Sequence, residues 1–451
     1  MSGTKLAFYQ RKPIKRLIDN SFFQITQSRQ YFKLKKSQWL SRAILKKIQE
    51  KKLRTIIKYA YYNVQYYHDL FKSLNLTPSD IKNVNDLNQI PILTKSQIQN
   101  KSQKIIACNI DKNSCTSNTT SGSSGKPLTL LFDKNAMSNI GSRHIRNYFE
   151  SGGHLRDKIV TFTNPNRFAH MKWFNHLGFL SKKYLSVFDR IENNISKLLE
   201  YSPDVIESYP SVLLLIVNTI QDKNIEGLNP RLILSTAELL SQNVRKKINS
   251  TFNIELFDQY GSAEFGTFAW ECQEHNGYHM DIESVVVEFL KNGENTSPGE
   301  KGEIVVTGLF NFAMPLIRYS LGDVGSYRIE QCSCGRRLPL MKIIEGRTDD
   351  FLVLPSGTII SPRNVNFLEN VDGISEYRII QKKPNKILVQ ITKGTNFSQK
   401  TVSQAKEEIR SGCLGEDIII NVEIVDQIPR DKSGKIKAVV SEVNKTIIKS
   451  K

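Results

Sequence analysis

Short apolar runs alternate with stretches of helical periodicity between residues 158 and 261. The apolar runs read KIVTFT, DVIESYP, RLILST and IELFDQYG, and the stretches between them include SVLLLIVNTIQDK and SQNVRKKINSTF. This alternation predicts a parallel β-sheet whose strands are joined by helices. Each apolar run ends at or near Ser, Thr, Tyr or Gly. Because ligands bind at the carboxyl ends of strands in open parallel sheets, we expect a site at those polar residues.

The segments on either side show other patterns. Residues 1–105 mix charged and apolar residues at helix-like intervals, which predicts a helical layer. The runs VVVEFL, GEIVVTG and IRYSLGDVGSYRI lie between Gly and Pro signals and predict an antiparallel β segment. After Asp349 the pattern predicts a small α+β unit. The expected fold class is α/β, with a large domain over residues 1–348 and a small mobile domain over residues 349–451.

The chain carries 63 basic and 44 acidic residues, a formal net charge of +19. This excess is compatible with weak association with an acidic membrane surface. The lysines are scattered, without the aromatic and basic interleaving of a nucleic-acid module, so no nucleic-acid partner is expected. No long apolar run occurs, and the first residues, MSGTKLAFYQRKPIKR, are charged. We therefore expect no transmembrane segment and a cytoplasmic location. The sequence does not indicate which oligomeric state the protein adopts.

Residues 119–126, TTSGSSGK, combine hydroxyl groups, two glycines and a lysine. Glycines let main-chain N–H groups converge on anionic oxygens, hydroxyl groups donate further hydrogen bonds, and Lys126 supplies positive charge. The segment therefore predicts a polyphosphate site. It is not a P-loop of the NTPase type, because Pro127 follows the lysine and the next segment reads as a strand. Taken alone, it is also compatible with a flexible surface turn.

Four further motifs follow the loop 119–126. They are DQYGSAE at residues 258–264, RYSLGD at 318–323, GRTDD at 346–350 and PRDKSGK at 429–435. This ordered set resembles the adenylate-forming superfamily and, within it, the phenylacetate–CoA ligase and CapK-like group. The stretches YAYYNVQYYHDLF and MPLIRYSLGD are similar to that group. The resemblance runs from near residue 55 to the end of the chain and implies activation of a small carboxylic acid as its acyl-adenylate.

The resemblance implies that ATP and Mg²⁺ bind at these motifs. Glu264 would hold the magnesium ion that bridges phosphate oxygens. Tyr260 would stack on adenine, Asp323 would accept hydrogen bonds from the ribose hydroxyls, and Arg347 would contact the ribose or the α-phosphate. The expected nucleotide-binding residues are Thr119, Thr120, Ser121, Gly122, Ser123, Ser124, Gly125, Lys126, Ser235, Thr236, Ala237, Glu238, Tyr260, Gly261, Ser262, Asp323 and Arg347.

Some of these assignments have simpler alternatives. The sequence STAE at residues 235–238 departs from the Gly-Ala-Pro-like sequence that is common in the superfamily where the chain contacts the edge of the adenine base. Without the motifs, Glu264 also reads as a carboxylate at a helix start, and Asp323 as a turn aspartate.

Lys435 is expected to catalyse adenylation, because the resemblance places its ammonium within reach of the α-phosphate and the attacking carboxylate. Lys126 and Glu264 complete the expected catalytic set. The alternative is one more surface lysine, but the Ser-Gly pair before Lys435 lets a loop enter a cleft. A lysine on a separate domain implies motion about a hinge at Asp349, after which the acyl group would pass to coenzyme A.

Two short-spaced pairs of soft or borderline metal ligands occur, in the stretches CQEH and CSC. Three cysteines and one histidine favour tetrahedral Zn²⁺. The sequence therefore predicts a structural zinc site. Its predicted ligands are Cys272, His275, Cys332 and Cys334, with His279 as the alternate histidine.

Two other functions stay open. A zinc-ribbon nucleic-acid module would use the same cysteines, but it leaves the five motifs unexplained. An adenylating transferase would pass AMP or the acyl group to a sugar, carrier or cofactor, as in capsular or surface polysaccharide biosynthesis. Phe265, Phe268 and Trp270 permit an aryl acid without requiring one.

Overall fold

Two groups of strands organise the molecule, a large sheet within residues 158–347 and a small sheet within residues 374–441. The computed structural model describes residues 13–120, 128–165, 181–347, 350–360, 362, 365, 367–369, 371–431 and 433–443. The helices are α1 Pro13–Ser37, α2 Arg42–Asn63, α3 Gln65–Ser73, α4 Lys95–Asn100, α5 Lys134–Glu150, α6 Ile191–Tyr201, α7 Pro210–Asp222, α8 Gln242–Phe252 and α9 Gln399–Gly412. Short 3₁₀ helices cover Val84–Gln89 and Lys112–Ser114.

The described residues also form β-strands along the chain. They are β1 Thr116–Thr120, β2 Leu128–Phe132, β3 Lys158–Thr163, β4 Ser181–Ser186, β5 Val205–Ser208, β6 Leu232–Thr236, β7 Phe257–Ser262, β8 Gly266–Glu271, β9 Tyr278–Met280, β10 Val285–Lys291, β11 Glu294–Asn295, β12 Gly302–Gly308, β13 Tyr319–Arg328, β14 Leu340–Arg347, β15 Leu352–Val353, β16 Ile359–Ile360, β17 Ile374–Lys383, β18 Lys386–Lys393, β19 Ile419–Ile424 and β20 Val439–Ser441.

The large sheet has a parallel half and an antiparallel half. Across the described residues its strand order is β11-β10-β12-β13-β14-β9-β8-β7-β6-β5-β3-β4. The pairings from β7 to β4 are parallel, and those from β7 through β8 to β11 are antiparallel. Every residue of β5 is buried, because helices cover both faces of the parallel half. The predicted α/β class and both predicted halves are confirmed.

The two faces of the parallel half have separate cores. Ile206 and Ile233 pack with α6, α7 and α8 on one face, whereas Val205 and Leu234 pack with Tyr148 of α5 on the other. Ser241 begins α8 by accepting a hydrogen bond from the N–H of Val244 at 3.2 Å, an ordinary N-cap. Successive apolar side chains of each strand therefore pack on opposite faces of the sheet.

The helical layer predicted for residues 1–105 is present over its described part. α2 buries Leu53, Ile56 and Ile57 in a core shared with the antiparallel half of the sheet, and α1 packs on α5. Among the described helices, none combines the length and the apolar character needed to cross a bilayer. The cytoplasmic location stays a prediction.

The C-terminal strands form their own sheet in the order β19-β18-β17-β20. β17 and β18 pair antiparallel, and the two outer pairings are parallel. With α9 these strands enclose a separate core that runs from Leu352 to Val439. We call residues 13–347 the N-terminal unit and residues 350–443 the C-terminal unit. Asp349, the predicted boundary and hinge, lies outside the described residues, so this boundary stays a prediction.

Candidate active site and metal-binding cluster

β6 and β7 end side by side at the edge where the sequence predicts a site. β6 ends with Ser235 and Thr236, and Thr236 lies opposite Gln259 of β7. The next residue, Ala237, has a φ of 73°. This conformation is uncommon for a residue with a side chain, and its cost must be offset by surrounding contacts. Such strained residues cluster at functional sites, which agrees with the predicted location.

The side chains of Tyr260 and Asp323 contact each other although 63 residues separate them in sequence. The hydroxyl of Tyr260 donates a hydrogen bond to Oδ2 of Asp323 at 2.7 Å. Arg347 lies directly opposite Asp323 in the pairing of β13 with β14. Residues from three separate motifs therefore lie together at one place, which is what a shared nucleotide site requires. Their contact with a nucleotide stays a prediction.

Glu264 lies in the turn between β7 and β8, not at a helix start. Its side chain is buried, and the hydroxyl of Tyr319 donates to Oε1 at 3.1 Å. The turn is tight, with Ser262 opposite Gly266. A Cβ on Gly261 would lie 2.4 Å from the carbonyl oxygen of Gly266, so the hairpin closes only with glycine there.

Arg143 of α5 supports this hairpin, and the sequence motifs did not indicate it. The fully buried guanidinium donates to the carbonyl oxygens of Phe265 at 2.5 Å and Thr267 at 2.7 Å. It therefore fixes the residues that follow Glu264. The available signal was an arginine spaced among the apolar residues of a predicted helix, since a buried arginine must find acceptors.

The predicted phosphate loop connects β1 and β2. Thr116 pairs with Phe132 and Thr120 pairs with Leu128, so the antiparallel pairing ends at Thr120 and Leu128 next to the loop residues. Thr119 is exposed at that end. The predicted phosphate contacts Ser121, Gly122, Ser123, Ser124, Gly125 and Lys126 lie outside the described residues.

The loop that carries Lys435 is held in a compact turn. Oδ1 of Asp431 accepts hydrogen bonds from the N–H of Ser433 at 2.7 Å and of Lys435 at 3.2 Å, and the N–H of Asp431 donates to the carbonyl oxygen of Lys435 at 2.9 Å. The next residue, Ile436, donates its N–H to Oε1 of Glu238 at 2.9 Å. Because Glu238 follows β6, the loop contacts the same sheet edge as the other candidate residues.

Glu238 has partners that differ from the expected nucleotide. Besides Ile436, its Oε2 accepts a hydrogen bond from the N–H of Ser211 at 3.1 Å. Burial raises the pKa of Glu238, and the hydrogen bonds from Ser211 and Ile436 oppose that rise. Both carboxylate oxygens are thus engaged with main-chain groups.

Four potential metal ligands converge beside the antiparallel half of the sheet. Cys272, His279, Cys332 and Cys334 each offer one ligand atom, and these atoms lie within 4.8 Å of one another. The two sulfur atoms of Cys272 and Cys332 are 3.6 Å apart, and Nε2 of His279 lies 3.3 Å from Sγ of Cys334. A set of three thiols and one imidazole fits the tetrahedral preference of Zn²⁺.

His275 is not part of this cluster, so the predicted ligand set needs correction. Its N–H closes a turn onto the carbonyl oxygen of Cys272 at 2.9 Å, and its φ is 45°. The ring packs on Phe257, and Nδ1 lies 3.4 Å from Oε2 of Glu271. The turn directs the imidazole away from the thiols, whereas the alternate histidine, His279, is fully buried among them.

The pKa values of two thiols in the cluster are shifted in opposite directions. Burial raises the pKa of Cys272. Burial alone would also raise the pKa of Cys334, but the hydrogen bond with His279 and the N–H of Arg336 lower it to about 6. A thiolate at Cys334 is the form that binds a metal ion.

Comparisons with known proteins agree with the motifs. Residues 352–442 match the family model of the CapK C-terminal domain. Protein CapK of Staphylococcus aureus is 26% identical over 424 residues, covering 88% of this chain and 89% of its own. A phenylacetate–CoA ligase of Thermus thermophilus is 24% identical over 360 residues, covering 76% and 80%. The chain is thus similar to the phenylacetate–CoA ligase and CapK-like group of adenylate-forming enzymes.

Solved structures share the fold of this chain. A 2-hydroxyisobutyryl-CoA ligase in its postadenylation state superposes with a TM-score of 0.74 at 16% identity, covering 91% of this chain and 92% of its own. The same ligase in its thioesterification state, with the same coverage, gives 0.60. These superpositions show that the chain shares the fold of this ligase.

Proposed function

We propose that this chain activates a carboxylic acid with ATP, forming an acyl-adenylate and pyrophosphate. The observation that carries the proposal is the meeting of motifs at one sheet edge. Tyr260 donates a hydrogen bond to Asp323, and Glu264 accepts one from Tyr319, which belongs to the same motif as Asp323. The Lys435 loop contacts Glu238, two residues after the end of β6. A structural protein has no need to bring these motifs together.

The chemistry explains why each group is required. A carboxylate oxygen attacks the α-phosphorus, and the bond to the bridging oxygen of the β-phosphate breaks, so pyrophosphate leaves with that electron pair. Two anions must therefore be held together. Lys435 would neutralise charge between the carboxylate and the α-phosphate, and the loop 119–126 with Lys126 would hold the departing phosphates. Glu264 would hold Mg²⁺, which supplies charge neutralisation at the phosphate oxygens when bound.

The second step is transfer of the acyl group to coenzyme A. The thiol would lose its proton to solvent, its sulfur would attack the acyl carbon, and the bond between the acyl carbon and the phosphate oxygen would break, so AMP leaves with that electron pair. Relatives named phenylacetate–CoA ligase and a structural neighbour that holds CoA support this acceptor. Lys435 would have to withdraw first, which requires the C-terminal unit to turn about the connection at Asp349.

A second candidate acceptor is a sugar, carrier or cofactor of surface polysaccharide biosynthesis. This candidate rests on the resemblance to the CapK-like group, and protein CapK aligns over most of both chains. The zinc-ribbon nucleic-acid candidate has less support. Cys272 directly follows β8 and His279 lies in β9, so both belong to the large sheet and not to a separate module.

We also propose that the cluster of Cys272, His279, Cys332 and Cys334 holds a structural zinc ion. The cluster ties the connection between β8 and β9 to the segment before β14. β8 forms one side of the hairpin that carries Glu264, so the ion would stiffen the support of the active site without contacting the reactants.

A pyrophosphate-exchange screen over aryl, fatty, hydroxy and amino acids tests the proposed function. Acid-dependent exchange is expected with at least one class, and CoA should release the stalled acyl-adenylate as a thioester. Lys435→Ala should lower exchange by roughly a thousand-fold while sparing thioester formation from supplied acyl-AMP. The matched control is Lys406→Ala on the exposed side of α9, which should keep wild-type rates. Equal loss of both half-reactions in Lys435→Ala would contradict the assigned role.

A further inference from the structure

Glu238 lies where the two units touch. Its Oε1 accepts the N–H of Ile436, at 2.9 Å, directly after Lys435. Its Oε2 accepts the N–H of Ser211, at 3.1 Å, in the first turn of α7. One carboxylate therefore joins a helix start in the N-terminal unit to the lysine loop of the C-terminal unit. Hydrogen bonds to a carboxylate are roughly twice as strong as those between neutral groups.

Other contacts show that the loop fits closely against this edge. Nη1 of Arg430 donates to Oγ of Ser211 at 3.3 Å, and the hydroxyl of Tyr209 donates to the carbonyl oxygen of Ser433 at 3.4 Å. Gly434 has a φ of 89°, and a Cβ there would lie 2.2 Å from a methyl group of Val187. The surfaces are thus matched in shape, with glycine where any larger residue would hold them apart.

The loop itself transmits position from Ile436 to Lys435. The side chain of Asp431 accepts hydrogen bonds from the main chain of Ser433 and Lys435 within the turn. The main chains of Arg430 and Ile436 form an antiparallel β-bridge. Fixing one end of such a short, internally bonded turn fixes the main chain of the lysine. The side chain of Lys435 then needs to order only its own rotatable bonds.

We infer that Glu238 is a positioning residue that holds Lys435 in its adenylating position through the main-chain N–H of Ile436. The inference rests on the proposed function, and it replaces the expected contact of Glu238 with the nucleotide. The hydrogen bond must break when the C-terminal unit turns for acyl transfer. Glu238 therefore favours the first half-reaction without touching the reacting atoms.

Glu238→Gln is the informative substitution. It keeps the shape of the side chain but replaces one acceptor by an N–H₂ group, which must face either the N–H of Ser211 or that of Ile436. The loss of a charged hydrogen bond predicts a fall in the kcat of pyrophosphate exchange of roughly ten- to a hundred-fold. The KM for ATP should change less than about two-fold, and thioester formation from supplied acyl-AMP should be unaffected or faster.

The matched control is Glu226→Gln, an exposed carboxylate in the connection before β6. It carries the same chemical change away from the loop, and it should leave both half-reactions unchanged. A raised KM for ATP with an unchanged kcat in Glu238→Gln would restore the nucleotide contact and overturn the inference. Equal loss of both half-reactions would also overturn it, because that pattern indicates general damage.

Amide hydrogen exchange of the peptide 429–443 tests the same contact without any activity. In Glu238→Gln this peptide should exchange at least about five-fold faster than in the wild type, and in Glu226→Gln it should not change. Unchanged exchange in Glu238→Gln would overturn the positioning role. Faster exchange in a chain without acid-dependent pyrophosphate exchange would instead support the contact and contradict the proposed function, so the two failures are distinguishable.

Discussion

His275 and His279 form a matched pair of residues for testing the metal site. Of these two, His279 is the one whose ring nitrogen lies within 4.8 Å of the three thiol sulfurs. We therefore expect the wild type to contain about one zinc ion per chain, His279→Ala to lose most of it, and His275→Ala to keep it. Elemental analysis after gel filtration measures the content. Loss of zinc in His275→Ala alone would contradict the assignment, as would a wild type without zinc.

The pair Lys182 and Glu207 carries a pH-dependent part of the stability. Nζ of Lys182 lies 2.8 Å from Oε2 of Glu207, which also accepts from Thr161. Burial alone would raise the pKa of Glu207, but Lys182 and His144 lower it to about 2. A lowered pKa stabilises the folded state above the ordinary value near 4.5, and that contribution is lost as the pH falls from there toward 2.

Lys182→Met should therefore lower the free energy of unfolding by about 3 kcal/mol at pH 7, because it leaves a buried charge without its partner. The deficit should shrink as the pH falls below 5, since Glu207 of the variant then becomes neutral. Urea unfolding at several pH values measures this. Lys197→Met, which breaks the partly exposed pair with Asp189, is the control and should cost less than about 1 kcal/mol. A deficit that does not depend on pH would contradict the prediction.

The corner between α1 and α2 is the element that best fits the expected association with an acidic membrane surface, which stays a prediction. Exposed apolar and basic side chains alternate there. They are Phe32, Lys35, Lys36, Trp39, Arg42, Ile44, Lys46 and Lys47. Such surfaces bind anionic lipid through combined charge and apolar contact.

We expect vesicles with anionic lipid to bind the chain at low salt and neutral vesicles to bind it weakly. A variant with glutamine in place of four lysines of this corner should lose at least about ten-fold in binding, since each lysine near the surface contributes about 1 kcal/mol. The substituted residues are Lys35, Lys36, Lys46 and Lys47. The control makes the same change at Lys383, Lys386, Lys393 and Lys400, which are exposed in the C-terminal unit. Equal binding of both variants, or binding only to nucleic acid, would contradict the prediction.

Elements with a local cause could be predicted from the sequence. The strands β3, β5, β6 and β7 have apolar runs because both faces are covered, and Asp133 begins α5 as a cap whose side chain accepts from the N–H of Ala136 at 2.8 Å. The partners of Glu238 could not be predicted, because 198 residues separate it from Ile436. The choice between His275 and His279 likewise depends on the direction of one turn, which spacing does not encode.

Polar side chains of the N-terminal unit contact the C-terminal unit at further places. Asn218 donates to the carbonyl oxygen of Ser375 at 3.2 Å, and Ser241 donates to Oε2 of Glu369 at 2.8 Å. These contacts resemble those of transient interfaces, which break without exposing a large apolar surface. A reversible contact is what alternation between two half-reactions requires.

Separate cores predict separate unfolding. Ile233 is fully buried beside α7, and Ile387 is fully buried in the C-terminal core. Replacing either by alanine should remove about 2–5 kcal/mol of local stability. If the polar contact couples the units only weakly, scanning calorimetry should resolve two transitions. Ile233→Ala should then lower one transition by several degrees and Ile387→Ala the other. A single transition that both variants lower equally would mean that the units unfold as one, and the proposed rotation would then need a stronger driving force than the loss of these few hydrogen bonds.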